Sequence, residues 1–128
     1  MQHLTHLTLS VALALIAISE PAAAQLVPVE WDAAGQFSKE LPVAVGKFVE
    51  VCEKLPQGAK IAWSFDAAAP LDFNIHYHEG KKVRFPAKKD QVTQHAGTLV
   101  TEAEQDYCWM WTNKTSAEAK LHFKLTKS

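Results

Sequence analysis

The sequence lacks the signatures of most enzyme classes. It has no GxSxG elbow, no HExxH pair, no glycine-rich phosphate loop and no Cys-x-x-Cys. These absences remove the commonest serine hydrolase, zinc protease, nucleotide-binding and dithiol oxidoreductase chemistries. Ser64, Asp72 and His76 are residue types of a catalytic triad, but nothing in their spacing brings them together. Glycine is scarce, with five residues, each at a turn or strand end. Neither sign of charge is in excess, since 13 Lys and Arg stand against 14 Asp and Glu. The chain therefore has no electrostatic footprint for nucleic acid. After the N-terminus it has no second apolar run that could span a membrane.

The one apolar run is Leu7 to Ile18 (LTLSVALALIAI), which is short for a bilayer span and leads into Pro21-Ala22-Ala23-Ala24. Ala22-x-Ala24 is the small-residue pattern a signal peptidase reads, so residues 1–24 are predicted to be a signal peptide cleaved before Gln25. His3 and His6 stand where such a leader usually carries Lys or Arg. The expected compartment is the periplasm or the exterior. Export makes Cys52 and Cys108, the only two cysteines, a predicted disulfide, with a free catalytic or metal-binding cysteine as the alternative. The loop they close holds roughly 55 residues and contributes up to about 4 kcal/mol through the entropy of the unfolded chain.

Residues 25–45 are predicted to be an extended lead-in or edge strand, with weak alternation over Leu26 to Trp31. Clearer strands follow at Lys47 to Leu55, Ala59 to Asp66 and Leu71 to His78, the second and third separated by a break at Ala67 to Pro70. In Leu71 to His78, Leu71, Phe73, Ile75 and Tyr77 alternate with Asp72, Asn74, His76 and His78. Glu79-Gly80-Lys81-Lys82 reads as a hairpin connection into Val83 to Phe85. Pro86 to Gly97 is polar and predicted to be looped, with a short strand at Thr98 to Thr101. Asp106 to Thr112 (DYCWMWT) is apolar on both faces, as a covered central strand would be. Lys120 to Leu125 closes the chain. Short strands at close spacing without a helical period indicate an all-β sandwich.

The order of these features resembles the GOLD domain of lumenal cargo receptors in the secretory pathway. The likeness runs over about Gly46 to Leu125. It is carried by Trp63-Ser64-Phe65, by Asp72 to Tyr77, by Tyr107-Cys108-x-x-Trp111-x-Asn113-x-x-Ser116, and by a closing strand around His122 and Phe123. The resemblance implies an antiparallel β-sandwich, GOLD-like or jelly-roll-like, over residues 46–128, as a single domain with one disulfide. It places Cys52 and Cys108 where the receptors pair two cysteines, and it implies an interaction module, not an enzyme. The receptors continue into a coiled coil and a membrane span, whereas this sequence ends just after its last strand. The Ala-x-Ala leader is of bacterial type.

Four groups of side chains are candidates for a site. His76 and His78 project from one strand face about 7 Å apart, a spacing that copper and zinc sites use. His95, His122, Met110 and Glu79 are the available further ligands. The alternative is that His76 and His78 are the polar side of an ordinary strand. Trp109 and Trp111 are candidate stacking surfaces or, alternatively, sandwich core. Lys81 and Lys82 head a basic patch with Arg84, Lys88 and Lys89 that an anionic partner would meet, or that is simply solvated. Glu102, Glu104 and Asp106 alternate along a strand face, as paired carboxylates for acid–base work or, alternatively, as acids that keep an edge soluble. Asn113-Lys114-Thr115 matches a glycosylation sequon and coincides with a turn of the resembled family.

The resulting expectation is a non-enzymatic exported binding module that needs no cofactor. Its expected partner is a protein or envelope component, with no nucleic acid and no membrane span after signal cleavage, and a homodimer is left open. The alternative is a periplasmic copper- or zinc-binding protein built on His76 and His78.

Overall fold

A computed structural model describes residues 12–16 and 25–128. The rest of the expected signal peptide and its cleavage signal lie outside the described residues. Among the described residues every regular element is a strand. These are β1 (Gln25–Pro28), β2 (Gln36–Val43), β3 (Phe48–Leu55), β4 (Lys60–Glu79), β5 (Lys82–Val100), β6 (Gln105–Thr112) and β7 (Ala119–Lys127). Among those residues no helix is long and apolar enough to cross a membrane.

The architecture follows from β4, which changes partners along its length. Its first part, Ile61 to Ala67, pairs with β7, and its later part, Asp72 to His76, pairs with β6. Between them the register against β5 shifts from Asp66 to Leu71. The expected break at Ala67 to Pro70 is therefore an irregularity inside one 20-residue strand, at the point where the sheet bends. The sheet order β1-β3-β6-β4-β7-β2 then curls into two halves. We call them the disulfide half (β1, β3, β6 and the end of β4) and the β7 half (β2, β7 and the start of β4).

The halves face each other through aromatic rings. Trp111 on β6 stacks on Phe123 of β7 at 5.0 Å, and Phe65 and Phe73, on the two parts of β4, lie 4.8 Å apart. Tyr107, Trp109, Trp111, Phe123, Leu121 and Ile75 are all essentially buried. The fold is thus the all-β sandwich expected, with one departure: β1 runs parallel to β3, while every other pairing is antiparallel. Cys52 and Cys108 are joined as expected, directly opposite each other on β3 and β6.

Two segments differ from expectation. Pro86 to Gly97 is not a loop but the body of the 19-residue β5, which pairs with β4 alone and is exposed along most of its length. An edge strand with so little burial has no hydrophobic period to betray it. Gly97 lies opposite Trp63, whose ring would come within 2.6 Å of any added Cβ. The lead-in over 25–45 contains two strands, the parallel β1 and the edge strand β2, which pairs with β7 along its whole length. The hairpin at Gly80-Lys81 is as expected, with Gly80 at φ +60° in the first turn position, as a type II′ turn needs.

Asn113 is buried and its amide is fully used. Nδ2 donates to the carbonyls of Val43 and Ala117, and Oδ1 accepts from the backbone and side chain of Thr115. The sequon is a structural turn, closed to a glycan.

Candidate functional site

Each half-sheet has one face in the core and one outside. On the outside of the disulfide half, register aligns the side chains in rows. Pro28, Cys52, Cys108 and His76 make one row across β1, β3, β6 and β4. Leu26, Glu50, Met110 and Asn74 make the next, and Asn74 pairs in turn with Lys88 on β5. Val83 pairs with His78, and the Phe85 ring lies 6.2 Å from that of His76. The face therefore gathers a disulfide, two histidines, a methionine, a carboxylate and several apolar groups. Leu26, Val83 and Phe85 are three of the large apolar side chains that residues 25–128 leave exposed, and all three lie on it.

His76 was expected to point away from the core, and it does, but it is buried with 6% exposure. The disulfide, Glu50 and Phe85 cover it. Its Nδ1 lies 2.7 Å from Asn74 Oδ1, an oxygen that can only accept, so Nδ1 carries the hydrogen. The other ring nitrogen, Nε2, lies 3.6 Å from Glu50 Oε1. Burial holds the His76 pKa below the ordinary histidine value, opposed by the Glu50 charge and assisted by His78. An imidazole whose Nδ1–H is held by an acceptor, here Asn74 Oδ1, has its other nitrogen oriented, as metal-ligating histidines do. His78 is exposed, and its ring stands edge-on to that of His76 at 5.5 Å.

The expected ligand set is only partly assembled. Met110 shares the face with His76 by register. His95 does not, because it pairs with Phe65 and packs edge-on against Trp63 at 5.1 Å. His122 does not either, because it lies on the outside of the β7 half, 3.4 Å from Asp66. Glu50 takes their place, and sequence reasoning missed it. The Cys52–Cys108 pairing could have found it, since that pairing fixes the β3–β6 register and sets Glu50 opposite Met110. Trp109 and Trp111 are 0% and 1% exposed, so as stacking surfaces they are corrected to core. Among the described residues their indole N–H groups have no hydrogen-bond partner. Lys81 and Lys82 sit at the exposed β4–β5 turn, away from these groups, with Lys82 opposite Glu79.

Two further arrangements remain. A cleft of about 430 Å³ opens between the two ends of β5, lined by Phe85 of the face just described and by Tyr77, Arg84, Leu99, Glu102 and Tyr107. On the β7 half, Ser38 Oγ is 3.1 Å from His122 Nε2, and His122 Nδ1 is 3.4 Å from Asp66. This is a Ser-His-Asp chain in triad order, unlike the residues considered from sequence. It stands on an open face where the N–H groups of β7 and of the first part of β4 are taken up by strand pairing. Those that the edge strand β2 leaves unpaired lie in the plane of the sheet, not above it, so no oxyanion hole is built beside Ser38.

No protein-family model matches the sequence, and no curated protein is significantly similar to it. Solved structures share the fold. The periplasmic inhibitor of g-type lysozyme PliG from Aeromonas hydrophila superposes with a TM-score of 0.66 at 12% identity, covering 83% of this chain and 98% of that one. PliG from Salmonella Typhimurium gives 0.60 at 11% identity, covering 83% and 100%. The pre-peptidase C-terminal domain of a Bacillus anthracis collagenase gives 0.53 at 8% identity, covering 86% and 99%. At these identities the likeness is one of fold, that of a small β-sandwich domain.

Proposed function

We propose that the chain is an exported, non-enzymatic module that binds a protein through the outer face of its disulfide half. The observation that carries this reading is that exposed Leu26 on β1 and exposed Val83 and Phe85 on β5 flank Met110 and the disulfide, from opposite sides of one sheet face. Apolar groups on either side of a rigid cross-link suit a protein interface, and charged Lys88, Glu79 and Lys54 supply a polar rim. The disulfide supports an oxidising compartment, in keeping with the expected leader. The resemblance to GOLD domains contributes only the binding-module character. Two proteins that share the fold are inhibitors of g-type lysozyme, which makes a lysozyme-type enzyme the first partner to try.

The experiment is a titration of g-type lysozyme against the immobilised protein, alongside lysis of peptidoglycan by that enzyme. Saturable binding is expected, weakened at least about tenfold by Phe85→Asp. Absence of binding and of inhibition removes this partner. Binding that ignores Phe85→Asp removes this face.

A second reading, copper or zinc binding, is favoured by one observation: the fixed His76 tautomer presents Nε2 to Glu50. In this reading Glu50 and His76 are the ligands, with His78 and Met110 on the same face. Titration of the oxidised protein with Cu(II) and Zn(II), beside His76→Ala/His78→Ala, tests it. Binding weaker than about micromolar, or unchanged in the double variant, rejects it.

A further inference from the structure

The row that holds His76 also holds both cysteines, and its sulfurs change chemistry with oxidation state. Ligand atoms of Glu50, His76 and Cys108 all lie within 4.8 Å of one another. Glu50 Oε1 lies 3.2 Å from Cys52 Sγ and 3.6 Å from His76 Nε2. A tetrahedral zinc site with Zn–N and Zn–O near 2.0–2.1 Å and Zn–S near 2.3 Å has edges of about 3.3–3.8 Å. The Glu50–His76 separation is already close to that range. While the disulfide is closed, its sulfurs are bonded to each other and only the imidazole and the carboxylate remain as strong donors. Opened, the same four side chains offer two thiolates, one imidazole nitrogen and one carboxylate oxygen. That is a full tetrahedral set for a borderline-soft cation.

We propose that Glu50, Cys52, His76 and Cys108 form a redox-gated zinc site, filled while the cysteines are thiols and emptied when the disulfide closes. The proposal rests on the metal-binding reading of Glu50 and His76, and adds the sulfur ligands and their control. The geometry supports it in three ways. Cys52 and Cys108 oppose each other on strands already held by eight paired positions, so the ladder still aligns the sulfurs once their bond is broken. Asn74 Oδ1 holds His76 Nδ1–H and keeps Nε2 turned to the site. Without a cation, a thiolate at Cys52 would face the Glu50 carboxylate, a like-charge contact that zinc converts into coordination.

The gate is ordinary thiol–disulfide exchange. A newly exported chain arrives with both thiols, which lose their protons on binding Zn(II). An oxidant of the disulfide class then accepts two electrons from the two sulfurs. The Cys52–Cys108 bond forms, the oxidant's own S–S bond breaks, its two thiolates leave and take up protons from water, and Zn(II) is released.

The test compares one protein in two redox states. The full chain is reduced with a phosphine, freed of reductant, and titrated with Zn(II) against a chromophoric chelator; the oxidised protein is treated in parallel. One equivalent is expected in the reduced state, bound at least about 100-fold more tightly than in the oxidised state. Co(II) should give a thiolate charge-transfer band in the reduced protein alone. Glu50→Gln and His76→Ala should each weaken Zn(II) binding by about tenfold or more, and Cys52→Ser/Cys108→Ser should abolish the band. Saturating Zn(II) should also slow disulfide formation by oxidised glutathione.

Equal affinity in the two states would overturn the proposal and leave the Glu50–His76 reading standing. Tight binding retained by the Cys52→Ser/Cys108→Ser variant would overturn it in the same way. No binding in either state would overturn both. If the reduced, metal-free protein loses its β-sheet circular dichroism, Zn(II) is expected to restore it. Failure to restore it counts against the site.

Discussion

The two outer faces of this sandwich come from the same kind of strand and serve different ends. The face of the β7 half is polar: Ser38, Glu40, Asp66, His122 and Lys124 project into solvent, and a Lys120–Glu40 pair at 3.3 Å is mostly exposed. The face of the disulfide half carries a covalent cross-link, a buried histidine with a fixed tautomer, and exposed apolar groups. The inner faces of both are closely similar, rows of aromatic and branched aliphatic side chains that meet in one core. Folding explains the inner faces. It does not require an apolar, cross-linked outer face on one half only, and the proposed interface rests on this asymmetry.

The largest expected effect of removing the asymmetry is on stability. Cys52→Ala/Cys108→Ala cuts a cross-link spanning a sequence separation of 56. By the entropy of the unfolded chain it should lower unfolding free energy by up to about 4 kcal/mol, measured by urea denaturation of the oxidised wild type and the variant. A loss below about 1 kcal/mol would mean that the ladder alone fixes β3 against β6. The next effect is on binding. Phe85→Asp on the disulfide face should weaken a protein partner at least about tenfold, and Lys124→Asp on the other face by less than about twofold. Comparable losses from both would leave the asymmetry without functional meaning.

Much of this contrast was legible in the sequence, and the part that was not has a physical cause. Alternation identified β3, β7 and both parts of β4, because each has one face in the core and one outside. It also set Phe73, Ile75 and Tyr77 apart from His76 and His78. It failed for β5, whose residues are exposed on both faces, and for β2, where only Leu41 and Val43 are buried. The burial of His76 was invisible because it depends on neighbours from β3 and β5 that are 26 residues before it and nine after it. Cross-strand register decides which side chains share a row, and a single sequence carries almost no record of it. The cysteine pair is the exception, and it leads to Glu50 but not to Asn74 or Phe85.

A smaller effect concerns acid. Burial depresses the His76 pKa, with Glu50 opposing and His78 assisting. The unfolded chain therefore takes up a proton near the ordinary histidine value of 6.5 while the folded chain does not. Stability should be full above that pH, fall as pH drops below it, and level off once the folded His76 is also protonated. His76→Gln should flatten this slope in oxidised, metal-free protein, as read from unfolding midpoints over that window. An unchanged slope would assign the acid sensitivity to other groups.

The smallest effect belongs to the β7 face, and it is informative because that face has the residues of a catalytic triad. Ser38 Oγ lies 3.1 Å from His122 Nε2, within hydrogen-bond reach, and His122 Nδ1 lies 3.4 Å from Asp66, a looser contact than a working triad makes. Three features argue that the chain is idle. All three side chains are exposed, so water competes for every bond. The N–H groups of β4 and β7 are committed to strand pairing, and those that the edge strand β2 leaves free point along the sheet plane, so an oxyanion developing above the face would meet no aimed donors. The face is flat, and the nearby depression between β4 and β5 reaches Asp66 but neither Ser38 nor His122. Ser38→Ala should therefore change stability by less than about 0.5 kcal/mol. It should also leave any trace hydrolysis of a nitrophenyl ester where it was. A large loss of such activity in Ser38→Ala would show that a triad can work on an open sheet, and would move the functional face to the other half of the molecule.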